Sequence, residues 1–135
     1  IHDNNEPNSA PPGSLSSGLP PGIGVLVLGV DNDTLTGNQI ENNDFSGIAL
    51  VDWCIGAALA GPSFSCSVNP ALTEPAPDNN HFLDNGIAGN GASPPSGFGP
   101  LAADITQLPG LGVGNCFSGN TPTATAFPPG PLPPC

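Results

Sequence analysis

The side chains in this chain best suited to chemistry are carboxylates. Two carboxyl groups roughly 5 to 9.5 Å apart suffice to hydrolyse a neutral glycosidic bond, one as acid and the other as base or nucleophile. Asp31, Asp33, Asp44, Asp52, Asp78 and Asp104 are the candidates, and alignment of internal repeats would stack Asp31 on Asp78 and Asp52 on Asp104. Aspartate is also favoured at turns and strand ends, where it caps backbone N–H groups, and this structural use is the stronger expectation. Such hard oxygen ligands would suit a structural calcium ion, although no stretch has the spacing of an EF-hand or a nonapeptide calcium repeat. Trp53, beside Cys54, reads either as a platform for a sugar ring or as a lid over a disulfide. The candidate sugar or calcium contacts are therefore Asp31, Asp78, Asp52, Asp104 and Trp53.

Composition removes several other activities. The 135 residues include 11 acidic side chains and no Lys or Arg, for a formal charge of −11. Nucleic-acid affinity comes from Lys and Arg neutralising phosphates, so that class is excluded. Anionic membrane surfaces are disfavoured for the same reason. Enzymes that grip acidic sugars need Arg or Lys against the substrate carboxylate, so only neutral sugars fit. His2 and His81 stand apart from the cysteines, which argues against zinc. Gly110-Leu111-Gly112-Val113-Gly114 has no helix pattern after it and does not read as a phosphate loop. Asn32-Asp33-Thr34 is a glycosylation sequon of a kind that an Asn-rich chain also produces by chance.

The elements that would position these residues are repeats. A phrase of Asn or Asp, a large apolar residue two places on and an Asn three places later recurs as Asp33-x-Leu35-x-x-Asn38, Asn80-x-Phe82-x-x-Asn85 and Asn115-x-Phe117-x-x-Asn120. Residues 31–40 align with residues 78–87 without a gap. A second phrase, Gly24-Val25-Leu26-Val27-Leu28-Gly29, recurs 23 residues later as Gly47-Ile48-Ala49-Leu50-Val51-Asp52, with Gly99–Asp104 a weaker third copy. Short strands separated by Asn/Gly turns at such a period predict an all-β solenoid of about three to four coils, with parallel strands stacked coil on coil. Leu35, Ile40, Phe82, Ile87 and Phe117 then point inward. Asn38, Asn85 and Asn120 form a ladder of amides at one corner. His81, at the position of Thr34, points outward. Pro-rich stretches at 7–21, 93–100 and 122–134 predict an N-terminal arm over residues 1–21, repeats over 22–120 with an insertion at 53–76, and a tail over 121–135.

This layout resembles the right-handed parallel β-helix repeat family of secreted bacterial proteins, in particular the C-terminal part of such a protein. The likeness spans nearly the whole chain and implies that the solenoid is a right-handed parallel β-helix. It is carried by Asn8–Ser14, Leu19–Val25, Asp78-Asn79-Asn80, Gly114–Asn120 and the closing Leu132-Pro133-Pro134-Cys135. The architecture carries lyases, hydrolases, adhesins and inert spacers alike, so it does not choose a function. Four cysteines without metal-ligand spacing argue for disulfides in an oxidising compartment, and they allow three connectivities. Local loop closure and the family likeness together favour Cys54 with Cys66 and Cys116 with Cys135. A chain starting at Ile1 in loop-like sequence reads as a mature or cleaved product, or as part of something larger.

These features predict a secreted, non-catalytic structural module of the cell surface or extracellular space. Copies would stack head to tail through open ends, Val25–Leu28 at one and Phe117 at the other, into a fibre or coat. Lower pH or added calcium would strengthen that contact by neutralising carboxylates. The alternatives are a β-helix that binds or processes polysaccharide, with Trp53 and the stacked acids as its site, and a fragment of a larger secreted protein.

Overall fold

The computed structural model describes residues 1–64, 66, 75–108, 112–122 and 124–135. Among these described residues, nine short strands are arranged in three parallel sheets. The largest takes β1 (Ile23–Leu28), β4 (Ser46–Val51), β7 (Ala103–Gln107) and β9 (Ala126–Phe127) in that order. The second takes β2 (Thr34–Thr36), β5 (His81–Leu83) and β8 (Cys116–Ser118), and the third pairs β3 (Gln39–Glu41) with β6 (Gly86–Ala88). Asn and Gly at the corners make the sharp turns between sheets, with Asn32 at φ 60°, Gly37 at φ 68° and Gly119 at φ 69°.

Register places like on like. Val25 lies opposite Ile48 and Ile48 opposite Ile105, while Ile40 lies opposite Ile87. Leu35 lies opposite Phe82, and Phe82 stacks on Phe117 with ring centroids 4.7 Å apart and planes 11° from parallel. These columns converge on one apolar core that includes Val27, Ile40, Ile48, Leu50, Phe82, Ile87, Ile105 and Phe117. No single strand of three residues could bury its side chain alone. The stack supplies the burial, and alternation along each strand sends exposed His81 out while Phe82 goes in.

The expected all-β, right-handed parallel β-helix of three to four coils is corrected here. Among the described residues the strands form separate sheets of four, three and two, an α-helix is present, and no closed solenoid is shown. A closed coil needs a near-constant repeat, and this chain does not keep one. Ile23 lies opposite Ser46, 23 residues on, but Ser46 lies opposite Ala103. Contacts between neighbouring strands elsewhere are separated by 47 and then 35 residues. Two long connections absorb the difference, one after β4 and one between β6 and β7.

The connection after β4 contains the helix. Asp52 caps it, its carboxylate accepting from the N–H groups of Cys54 (2.7 Å) and Ile55 (3.2 Å). The Ala-rich segment Trp53–Ala60 then forms α1 and stops at Gly61, whose φ of 125° few other residues adopt. Helix α1 packs on the 3₁₀ turn Leu15–Gly18 and reaches Leu28 of β1, where a Cβ added at Gly56 would lie 2.5 Å from the Leu28 Cδ1. All six residues of β4 are buried, with Ile48 and Leu50 in the core and Ala49 and Val51 beside an outer apolar group that includes Leu19, Leu59 and Phe98. Cys54 is bonded to Cys66 and Cys116 to Cys135, two disulfides that fit a chain matured in an oxidising compartment. The 53–76 insertion otherwise lies in part outside the described residues.

Both terminal segments join the sheets. Ile1 and His2 run parallel to β3, with the Glu41 N–H donating to the Ile1 carbonyl at 3.0 Å and His2 bridging Glu41. In the tail, β9 extends the largest sheet, and the Phe117 N–H donates to the Pro133 carbonyl at 2.8 Å.

Two outcomes follow for stability. Phe82→Ala, at the centre of the aromatic column, should cost about 3–5 kcal/mol in urea unfolding, and a loss below about 1 kcal/mol would show the column is not an anchor. Replacing both Cys54 and Cys66 by Ala should cost about 3 kcal/mol by the chain-entropy model, measured the same way.

Candidate functional site

The conspicuous polar feature is a set of asparagine columns, each running from strand stack to strand stack. In the first, the Asn38 N–H and amide both donate to the Asn85 Oδ1, at 3.0 and 3.1 Å, and Asn85 repeats this onto Asn120 at 3.0 and 3.0 Å. The Nδ2 of the two lower members also reaches the strand above, that of Asn85 to the Leu35 carbonyl and that of Asn120 to the Phe82 carbonyl, both at 2.8 Å. Asn85 is wholly buried, with its side chain fully engaged.

Two further columns have the same construction. Asn80 accepts from the Asp33 N–H at 2.9 Å and donates its own N–H and amide to Asn115, both at 3.0 Å. Asn4 donates twice to Asn43, Asn43 twice to Asn90, and Asn90 twice to the Asp104 Oδ1 at 3.1 and 3.0 Å. Asp104 ends that column. Its Oδ2 accepts from the Thr125 N–H and hydroxyl at 3.0 and 2.8 Å, so the buried carboxylate receives four donors. Glycine opposite the column makes room for it, since a Cβ at Gly47 would lie 2.7 Å from the Asn90 Nδ2.

Only one of the three columns is read from the sequence. The signal for the others is a tighter period than the phrase suggests. Asp33, Asn38 and Asn43 are five apart, with Leu35 and Ile40 between, and Asn80, Asn85 and Asn90 are five apart, with Phe82 and Ile87 between. The phrase is a five-residue unit in tandem.

The candidate carboxylates are placed as follows. Asp31 and Asp78 are adjacent, joined through the backbone: the Asp78 N–H donates to the Asp31 Oδ1 at 2.8 Å, and the Val113 N–H to the Asp78 Oδ1 at 2.7 Å. Asp52 and Asp104 are not brought together, because the register that sets Ser46 opposite Ala103 puts Asp104 level with Gly47, five residues before Asp52. One caps α1 and the other closes an asparagine column. Trp53 is half-buried at the start of α1, its N–H donating to the Pro75 carbonyl at 2.7 Å. Among the described residues, no three His, Cys, Asp or Glu side chains cluster closely enough to share a metal ion, and no helix is long and apolar enough to cross a membrane.

The two ends of the stack differ. Beside β8 lie Leu132 and Pro133, pinned by the Cys116–Cys135 disulfide. Strands β1 and β2 at the opposite end have, among the described residues, no strand on their outer edges, and between them opens a cavity of about 180 Å³ lined by Val25, Val27, Val30, Leu35, Asn80 and Phe82 among others. Asp33 and Asn38 stand at that edge. Among the described residues no donor reaches the Asp33 carboxylate or the Asn38 Oδ1, although the equivalent oxygens of Asn80 and Asn85 accept from the strand above.

Comparison with family models, with curated proteins and with solved structures finds no match for this chain. No relative therefore contributes a functional residue here, and the geometry alone carries the functional argument.

Asn85→Leu leaves the Asn38 N–H without its acceptor and takes one donor from the Leu35 carbonyl, and should cost about 3 kcal/mol in chemical unfolding. Asp33→Ala, at an exposed side chain without a partner, should change stability by less than about 0.5 kcal/mol. Equal effects of the two substitutions would contradict the load assigned to the columns.

Proposed function

We propose that this chain is a non-catalytic extracellular structural module that makes end-on contacts through the β1/β2 end. The observation that carries this is the fate of the acids that the repeat alignment singles out. Asp31 and Asp78 each hold a backbone N–H, Asp52 caps a helix, and Asp104 takes four donors. A glycosidase needs one carboxyl free to give a proton and another facing the sugar carbon. Acids engaged in this way favour a structural role.

Two disulfides support maturation outside a reducing cytosol. The absence of Lys and Arg favours a surface that does not gather anionic polymers. The repeat suggests a continuous head-to-tail fibre, but the tail favours a narrower outcome. Pro131, Pro133 and Pro134 beside β8 have no N–H to offer an incoming strand. Association through one end only closes at a pair, or at attachment to something else.

Sedimentation velocity and electron microscopy of the full chain, run beside a reducing-end assay on neutral polysaccharides, test this. Expected are species no larger than a dimer, no fibres and no reducing ends released. Fibres would overturn the one-ended contact, and polysaccharide cleavage would overturn the non-catalytic role.

A further inference from the structure

The asparagine columns are polar. Every bond onto a side-chain oxygen within them runs from the earlier strand to the later one, so the first member of a column is left with its oxygen as an uncovered acceptor. At the β2 edge the acceptors are uncovered: the Asp33 carboxylate and the Asn38 Oδ1, five residues apart, with Leu35 between them. The neighbouring edge of β3 shows what belongs there. Along it runs the segment from Ile1 to Asn5, and Asn4 gives both its N–H (3.2 Å) and its amide (2.9 Å) to the Asn43 Oδ1. An extended segment, parallel and in register, is thus the occupant this type of edge accepts.

From this we infer that the β2 edge is a docking site for an extended segment of a partner protein carrying Asn-x-Φ-x-x-Asn, where Φ is Phe, Leu or Ile. The inference rests on the end-on contact proposed above and names its chemistry. The first Asn of the segment donates to the Asp33 carboxylate and the second to the Asn38 Oδ1. Its apolar side chain enters the cavity of about 180 Å³ above Leu35, as Phe82 sits against Leu35 from the other side. Main-chain bonds along β2 supply affinity, and the three side-chain positions supply specificity. A second copy of this chain is a poor donor. Its phrase at Asn115–Asn120 lies under its own tail, held by the Phe117 to Pro133 bond and the Cys116–Cys135 disulfide, and its phrase at Asn80–Asn85 lies on β5, inside a sheet. Charge is compatible as well, because a neutral segment meets no repulsion from a chain at −11.

The test is an NMR titration of the ¹⁵N-labelled full chain with a synthetic peptide, Gly-Asn-Ser-Phe-Ser-Gly-Asn-Thr, which is residues 114–121 with the substitution Cys116→Ser. Saturable shifts are expected at Leu35, Thr36 and Val27. A peptide with both Asn replaced by Leu should not bind. Asp33→Ala should weaken binding about tenfold, the value of one hydrogen bond to a charged acceptor, while its melting temperature stays unchanged. Absence of shifts at millimolar peptide, equal binding of the Leu peptide, insensitivity to Asp33→Ala, or shifts centred on Phe117 would each overturn the inference. The polysaccharide assay is independent of the titration, so a catalytic activity would bring down the proposed function without deciding whether the edge binds.

Discussion

The fold depends on one repeated interaction, in which a buried asparagine oxygen takes both the backbone N–H and the amide of the asparagine on the strand above. At a corner the backbone leaves its sheet, and N–H groups there lose the ladder partners that strands provide. A buried N–H without an acceptor costs about 1–3 kcal/mol. Asparagine is suited to the place because one side chain offers an acceptor to one neighbour and donors to another, and because it tolerates the left-handed turns nearby. The columns through Asn85, Asn80 and Asn90 satisfy the corners in this way. Alignment of the asparagines then brings Leu35, Phe82 and Phe117 over one another, so corner chemistry fixes core register.

The same interaction explains how a chain lacking cationic side chains stays folded. Attraction between Lys or Arg and acids is not available, and 11 carboxylates must be placed without it. Where a carboxylate is buried, backbone N–H groups, a side-chain amide and a hydroxyl supply the compensating donors, as at Asp104. Many of the remaining acids lie on exposed turns, where water and salt screen them; at about 0.15 M ionic strength the screening length is roughly 8 Å. Asp104 stands where the next asparagine of its column would stand. The carboxylate suits that terminal place, since it accepts from both sides and need not donate onward.

Much of the local pattern is legible in the sequence and the global closure is not. The phrase Asp33-x-Leu35-x-x-Asn38 and its two copies mark strands that pair in the structure, because an inward apolar residue and a corner asparagine are both local requirements. The Asp31 and Asp78 adjacency follows from the same gapless alignment. The Asp52 and Asp104 stack fails because the second phrase sets Gly99–Asp104 against Gly47–Asp52, whereas burial of Ile105 on Ile48 shifts the pairing. The sequence pattern does not mark the helix Trp53–Ala60, since its eight residues show no distinct apolar face; an Asp-capped, Ala-rich stretch forms it where it packs on the Leu15–Gly18 turn and on Leu28. Long connections of unequal length leave strand pairing intact while preventing a regular coil, and phrase counting cannot see their effect.

Polarity of the columns has a consequence that apolar stacking alone would not produce. Leucine or isoleucine on an end face is equally satisfied by any apolar partner in either orientation, which leaves such ends prone to indiscriminate pairing. An end that presents Asp33 and Asn38 as acceptors five residues apart rejects an incoming strand without donors at that spacing, since a mismatched segment would desolvate both oxygens without replacing their bonds. At the other end, prolines and a disulfide do the excluding, through Pro133 and Cys135 beside β8. The two ends thus differ, with uncovered acceptors at one and prolines with a disulfide at the other, an asymmetry better suited to a defined contact than to an open-ended polymer.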